Sequence, residues 1–210
     1  MNLETARSVL QTKSPEIGKL NEVLDDIHQA NQHATNMIQR LGLLLKPRGE
    51  VGLEEFDLNE VITSAFHILG PEANKRNVTL QRNAVEQPLP VLADRVHLLQ
   101  VMLILATNAM DAMTGTPLGA RRITIETAMS ESSQLEVSVI DTGSGVPKEK
   151  LGQVFATFYT TKAHGTGLGL SIARTIIETY GGKIWAENLS HGGAAFRFTL
   201  PLSQGASSSI

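Results

Sequence analysis

The 210-residue chain contains no cysteine. Disulfides and thiolate metal sites are therefore excluded. Neither sign of charge dominates, since 18 basic and 21 acidic residues leave a formal charge of −3. That balance argues against a broad nucleic-acid surface and leaves room only for a local basic patch. Long apolar runs are missing too. The stretch "VMLILA" at Val101–Ala106 is far too short to span a bilayer. The opening "MNLETARSVLQTK" lacks the apolar core of a signal peptide. A cytoplasmic chain without nucleic-acid partner or membrane segment is the expectation, any membrane anchor lying elsewhere in the natural protein. There is no internal repeat and no G-x-x-x-x-G-K-[ST], so a P-loop is excluded.

What the chain does have is core material. Hydrophobic residues make up 41% of it, enough for one ordinary domain plus an extra element, or for two small domains. Residues 1–46 read as two helices broken at "KSPE", with Ser14 as N-cap and Pro15 in the first turn. In the second, Ile17, Leu20, Leu24, Ile27, Ala34, Ile38, Leu41 and Leu45 fall at a and d heptad positions. Asn31 occupies an a site, where a polar residue either fixes register or is simply hydrated. "PRGEVGLEEF" reads as a linker, which divides the chain into 1–49, 50–203 and a polar, disordered tail 204–210.

After the linker, Asp57 and Glu60 are spaced as a capping box for a helix ending near "NKRN". A strand "VTLQRN", a proline-rich loop "EQPLPVLA" and a long inner helix from Asp94 follow. "RRITIETAM" and "LEVSVIDT" alternate as a strand hairpin, and a short helix is expected in "PKEKLGQVF". A helix from the Gly167 region, then strands "KIWAEN" and "AAFRFTLPL", complete the order. The sum is an α+β two-layer sandwich, a mixed sheet with helices on one face.

Four segments carry candidate chemistry. "TNAMDAM" puts Asn108 and Asp111 on an apolar helix, where a carboxamide must be bonded or functional. An amide oxygen suits a hard cation such as Mg²⁺. "DTGSGVP" places Asp141 at a strand end, able to accept from an exocyclic amine. Gly143 and Gly145 would let backbone pass flat against a planar ring, unless the segment is an ordinary Asp-Gly turn. "FATFYTTK" supplies three aromatics, hydroxyls and the Lys162 ammonium. In "HGTGLGLSIA" three alternating glycines run into a helix start, whose unpaired N–H groups suit phosphate. A dinucleotide fingerprint fits poorly there, because Leu170 stands where the third glycine is required and no strand precedes.

The order of these segments resembles the ATP-binding catalytic domain of sensor histidine kinases, within the wider Bergerat-fold ATPase group. "TNAMDAM" is similar to that family's N box, "DTGSGVP" to its first glycine box, "FATFYTT" to its F box and "GTGLGLSIA" to its second glycine box. "GGAAFRFTLP" resembles the final glycine-and-strand element. The likeness covers about residues 57–202, and residues 1–46 resemble part of the dimerisation hairpin.

The resemblance implies roles. Asn108 would hold Mg²⁺ on the triphosphate, with Asp111 beside it. Asp141 would take the adenine amine, Gly143 and Gly145 would shape the adenine pocket, and Thr199 would line its end. Gly165, Thr166, Gly167, Leu168 and Gly169 would cradle phosphates. Thr160, Thr161 and Lys162 would belong to a nucleotide-ordered lid. The implied partners are a response-regulator receiver domain and a second copy of the chain, paired through the helical hairpin.

Two departures from the family pattern stand out. Four positions before Asn108, where the family usually has a polar residue, stands Ile104, which bears on turnover. No "HExxxP"-like box with the phosphoacceptor His exists among residues 1–210. His28 and His33 read as solvated helix residues, and His67, His97, His164 and His191 have no metal-ligand spacing. The expectation is a protein-histidine kinase region that binds ATP but does not phosphorylate itself, beginning inside the acceptor helix.

Overall fold

The computed structural model describes residues 52–83, 87–129, 134–160 and 166–203, together with the isolated Gly18. The expected hairpin of residues 1–46, Asn31, His28, His33, the cut near residue 50 and the tail 204–210 lie outside them. Gly52–Ile210 forms one compact unit, distinct from Met1–Val51.

The unit opens with β1 (Glu54–Asp57), followed by α1 (Leu58–Lys75), β2 (Thr79–Asn83), β3 (Pro90–Ala93), α2 (Arg95–Ala112), β4 (Arg122–Met129) and β5 (Gln134–Asp141). A 3₁₀ turn (Lys148–Lys150), α3 (Gly169–Thr179), β6 (Ile184–Asn188) and β7 (Ala194–Pro201) complete it. Five strands form a mixed sheet in the order β2-β4-β5-β7-β6. β2 runs parallel to β4 and the other neighbours are antiparallel. The mixed sheet and helices of an α+β sandwich are thus present.

Alternation decides which face is covered. Ile123 and Ile125 of β4, Leu135, Val137 and Val139 of β5, and Phe198 and Leu200 of β7 are all buried. They meet Leu98, Val101, Met102 and Leu105 of α2, with Val61 and Ile62 of α1 and Ile172 and Ile177 of α3 completing the core. Full burial of one such side chain, Phe198 for example, is worth about 2–3 kcal/mol of transfer free energy. On the opposite face Arg197 reaches Glu187 at 2.7 Å, Glu136 at 3.1 Å and Ser138 at 2.6 Å. One guanidinium thereby ties three strands together.

Two helices are capped as their sequences suggest. Asp57 accepts from Asn59 N at 3.0 Å, and Asp94 accepts from Val96 N at 2.8 Å. Glu60 does not complete a capping box, since its carboxylate pairs with Arg95 instead. At the other end of α1, Pro71 lies inside the helix. The residue before it is Gly70, which has no Cβ to clash with the proline ring. α2 and α3 are joined where the buried His97 Nδ1 lies 2.6 Å from Tyr180 Oη, which also accepts from Asp94 N at 3.2 Å.

Three local expectations change. The end of the expected linker and part of the proline-rich loop pair with each other as β1 and β3, antiparallel, with Phe56 opposite Val91. Pro90 is tolerated because it begins its strand, where a missing N–H costs little. The helix expected in "PKEKLGQVF" is a single 3₁₀ turn.

Among the described residues no helix is long and apolar enough to cross a membrane. The sharpest packing constraint is at Gly182, where an added Cβ would fall 1.9 Å from Thr199 O and 2.8 Å from Ile177 Cγ2. Gly182→Ala is expected to destabilise the fold by about 3 kcal/mol, at the upper end of overpacking costs, measured by urea denaturation.

Candidate functional site

The described parts of the four segments meet along one helix row. Ile104, Asn108 and Ala112 follow one another at i, i+4 and i+8 on α2, and so share a stripe. At one end, Ile104 Cγ2 lies 3.5 Å from where a Cβ of Gly169 would be, at the start of α3. At the other, Ala112 O is 2.7 Å from the corresponding point of Gly143. Asn108, partly exposed, stands between the helix start and the glycine loop. Asp111 lies beside this row and pairs with Arg76 Nη1 at 2.5 Å, which anchors it to the end of α1.

Asp141 ends β5 at 1% exposure. Its Oδ1 accepts from Gly143 N at 2.7 Å and from Ala194 N at 3.4 Å. Its Oδ2 is buried with no partner. Burial pushes this carboxyl above its ordinary value, against the lowering effect of the Gly143 and Ala194 amides. A buried carboxylate oxygen without a donor is costly for the protein alone. It is complementary to a ligand N–H.

The loop after Asp141 is held on both sides. Ser144 N donates to Ala112 O at 3.4 Å, and Thr142 Oγ1 donates to Ala120 O at 2.6 Å. On the far side Val146 N donates to Asn188 Oδ1 at 2.8 Å, and Asn188 Nδ2 donates to Val146 O at 2.5 Å. Gly145 has φ +72°, and a Cβ there would lie 2.8 Å from Asn188 Oδ1. Asn188 was not singled out from the sequence, where an Asn at a strand end gives no signal.

The start of α3 differs from those of α1 and α2 in having no side-chain cap; Leu168 is its N-cap, and its first turn, like that of α2, has no acidic residue. Thr166 Oγ1 accepts only a long 3.4 Å bond from Leu168 N. The glycines there have different reasons. Gly167 has φ +65°, and a Cβ would fall 2.3 Å from the carbonyl carbon of Phe158, itself at φ +66°. Among the described residues no atom excludes a Cβ at Gly169. Phe155 is buried edge-on against Phe196, whereas Phe158 is 74% exposed. Thr160 is exposed at the end of this segment. Thr161, Lys162, His164 and Gly165 lie outside the described residues.

Thr199 is not brought to this site. It stands opposite Glu136, while Ala194, five residues earlier on β7, donates to Asp141. At strand rise that separates them by about 17 Å. Thr199 Oγ1 instead accepts from Lys183 N at 3.2 Å. The β7 residue beside the pocket is Ala194, and Gly193 before it is forced, since a Cβ there would meet Asp141 O at 2.0 Å.

Residues 93–204 match the family model described as histidine kinase-, DNA gyrase B-, and HSP90-like ATPase. Over 195 residues the chain is 36% identical to the sensor protein FixL of Bradyrhizobium diazoefficiens, covering 93% of this chain and 38% of that protein. It is 34% identical to the sensor histidine kinase TmoS of Ectopseudomonas mendocina over 90% of this chain and 19% of TmoS. The chain thus spans less than half the length of these relatives. The catalytic domain of histidine kinase ThkA is similar in structure, with a TM-score of 0.63 at 37% identity over 71% of this chain and 95% of that one. A structure of ThkA in complex with the response regulator TrrA matches with a TM-score of 0.74 at 27% identity, over 96% of this chain and 57% of that one.

The isolated Asp141 sets a testable linkage. Its folded pKa lies above the ordinary 3.8, so its protonation favours the fold. That contribution is complete below about 3.8 and is lost as pH rises through the raised value. At neutral pH the ionised group therefore costs stability. Asp141→Asn should raise the stability of the ligand-free protein by roughly 1 kcal/mol, read as a higher thermal midpoint at pH 7. The gain should shrink at acid pH.

Proposed function

The chain belongs to the histidine kinase-, DNA gyrase B-, and HSP90-like ATPase family, and on that premise we propose that it binds ATP as the phosphoryl-donor region of a two-component sensor histidine kinase. The unpartnered Oδ2 of Asp141 carries this reading. It accepts the exocyclic amine of adenine, while Gly143 and Gly145 keep the loop flat beside the ring. A base presenting a carbonyl at that position would face a carboxylate and be rejected.

The triphosphate extends from there toward α3. The N–H groups at the start of that helix have no side-chain cap and present the positive end of its dipole. Gly169, which packing among the described residues does not require to be glycine, gives close access to backbone. Asn108 lies between base and phosphate ends and offers a single amide oxygen. No group of three or more His, Cys, Asp or Glu able to hold a metal exists among the described residues. That donor set fits a hard cation that brings most of its ligands as phosphate oxygens and water. When bound, Mg²⁺ would be held by Asn108 and would supply positive charge to neutralise the phosphates. Lys162, Thr161 and Gly165 would add contacts to the same phosphates, and Thr160 would flank them.

Chemistry in the whole protein would be transfer of the γ-phosphoryl group to a His imidazole and then to a response-regulator Asp. The chain has no "HExxxP"-like acceptor box, so the acceptor is a histidine it does not supply. Pairing through residues 1–46 would present that acceptor, and the reaction would draw on cytoplasmic ATP. Ile104, 8% exposed beneath α3, supports a second reading in which nucleotide is bound as a regulator without transfer. Turnover with an acceptor-bearing segment supplied separately distinguishes the two.

Titration calorimetry is expected to show binding of ATP and ADP, strengthened by Mg²⁺ for ATP. Asp141→Asn should weaken both by about ten- to a hundredfold, the loss of a hydrogen bond to a charged group. No heat with either nucleotide would refute the reading. Incubated with labelled ATP, the chain should gain no acid-labile phosphate; label on any of its six histidines would contradict the missing-acceptor argument.

A further inference from the structure

We propose that Asn188 is the positioning residue that sets the adenine loop, acting by a two-point clamp on the backbone of Val146. The inference rests on the nucleotide reading of the site and adds a residue to it. Asn188 ends β6 directly opposite Ala194, and Ala194 in turn donates to Asp141 at the end of β5. Asn188 and Asp141 therefore flank the same β7 residue from its two neighbouring strands. The loop leaves β5 at Asp141, crosses the end of β7 and is caught at Val146 by Asn188.

Both polar atoms of the carboxamide are used. Oδ1 accepts from Val146 N at 2.8 Å and Nδ2 donates to Val146 O at 2.5 Å. That is the pairing another strand would make, supplied by one side chain. Only a carboxamide has an acceptor and a donor at this spacing. Aspartate would set an oxygen against the Val146 carbonyl, and alanine would leave both groups unpaired. The adjoining Gly145 is shaped to the clamp: at φ +72°, a Cβ would come within 2.8 Å of Asn188 Oδ1. The clamp and the glycine together fix the span from Asp141 to Val146 before any ligand arrives, so that its ordering is not charged against binding.

The test uses the full chain with Asn188→Asp and Asn188→Ala. Adenosine, ADP and inorganic triphosphate are titrated by amide chemical-shift changes, and thermal midpoints are recorded. The expected result is a loss of about tenfold in affinity for adenosine and ADP alike, with triphosphate affinity within twofold of wild type. In Asn188→Ala the Val146 amide proton should move upfield as its bond is lost. If Asn188→Asp does not fold, Asn188→Ala, which places no charge against the carbonyl, carries the comparison. Adenosine affinity within twofold of wild type in the folded variant would overturn the proposal. So would an equal loss for triphosphate, which marks general damage instead of base positioning. A wild-type chain that binds no adenosine would overturn the nucleotide reading and this one together. Wild-type binding with unchanged variants overturns only the role of Asn188.

Discussion

A carboxylate held in a dry place with half of its hydrogen-bonding capacity unused is the constraint around which this domain is arranged. One oxygen of Asp141 is fixed by the amides of Gly143 and Ala194, and the other is buried without a donor. Holding it there requires three strands to end together. It requires Gly193 to press its bare Cα against the Asp141 carbonyl and a loop that turns back under two separate anchors. A protein under selection for stability alone would not keep such a group. On the proposed reading, this buried acceptor at the end of the central strand is satisfied by a ligand N–H.

The second organising element is α2. Its buried side contributes Leu98, Val101, Met102 and Leu105 to the core, and its other stripe forms a wall of the site. Because Ile104, Asn108 and Ala112 lie one turn apart, a single rigid rod sets the distance between the amides of α3 and the loop after Asp141. Arg76 and Asp111 brace the far end of the rod against α1, and His97 with Tyr180 braces its start against the end of α3. The start of α3 and the loop after Asp141, the proposed phosphate and base ends, are thereby held at a fixed separation by packing, with no reliance on a flexible connection.

Much of this was legible in the sequence, for definite reasons. Asp57 and Asp94 precede apolar helical runs, Ile123, Ile125, Leu135, Val137 and Val139 alternate with polar residues, and the glycine segments keep their order and spacing. What was not legible depended on contacts between distant positions. β1 and β3 are four residues each, too short for periodicity to reveal, and one contains proline. Glu60 has the spacing of a capping box, but its carboxylate pairs with Arg95. Thr199 has suitable chemistry for a pocket wall, yet strand register puts it at the wrong end of β7. Asn188 and the left-handed Phe158 have no local sequence signature, since one is defined by the loop it grips and the other by the glycine it meets. The resemblance implied the roles proposed for Asp141 and Asn108. The structure supplies the reasons for Gly167, Gly182 and Gly193, each forced by neighbouring backbone.

The Ala194–Asp141 hydrogen bond joins residues 53 positions apart in the chain. β4 and β5 are hairpin neighbours and can pair early, but the pocket remains open on one side until β7, near the end of the described chain, docks beside β5. A nascent or C-terminally shortened polypeptide would possess the aspartate, the glycine loop and the long helix without possessing the enclosure. Nucleotide would then act as a late inspector of folding. It would have nothing to hold on incomplete chains, and its binding free energy would accrue only to those whose last strand is in place.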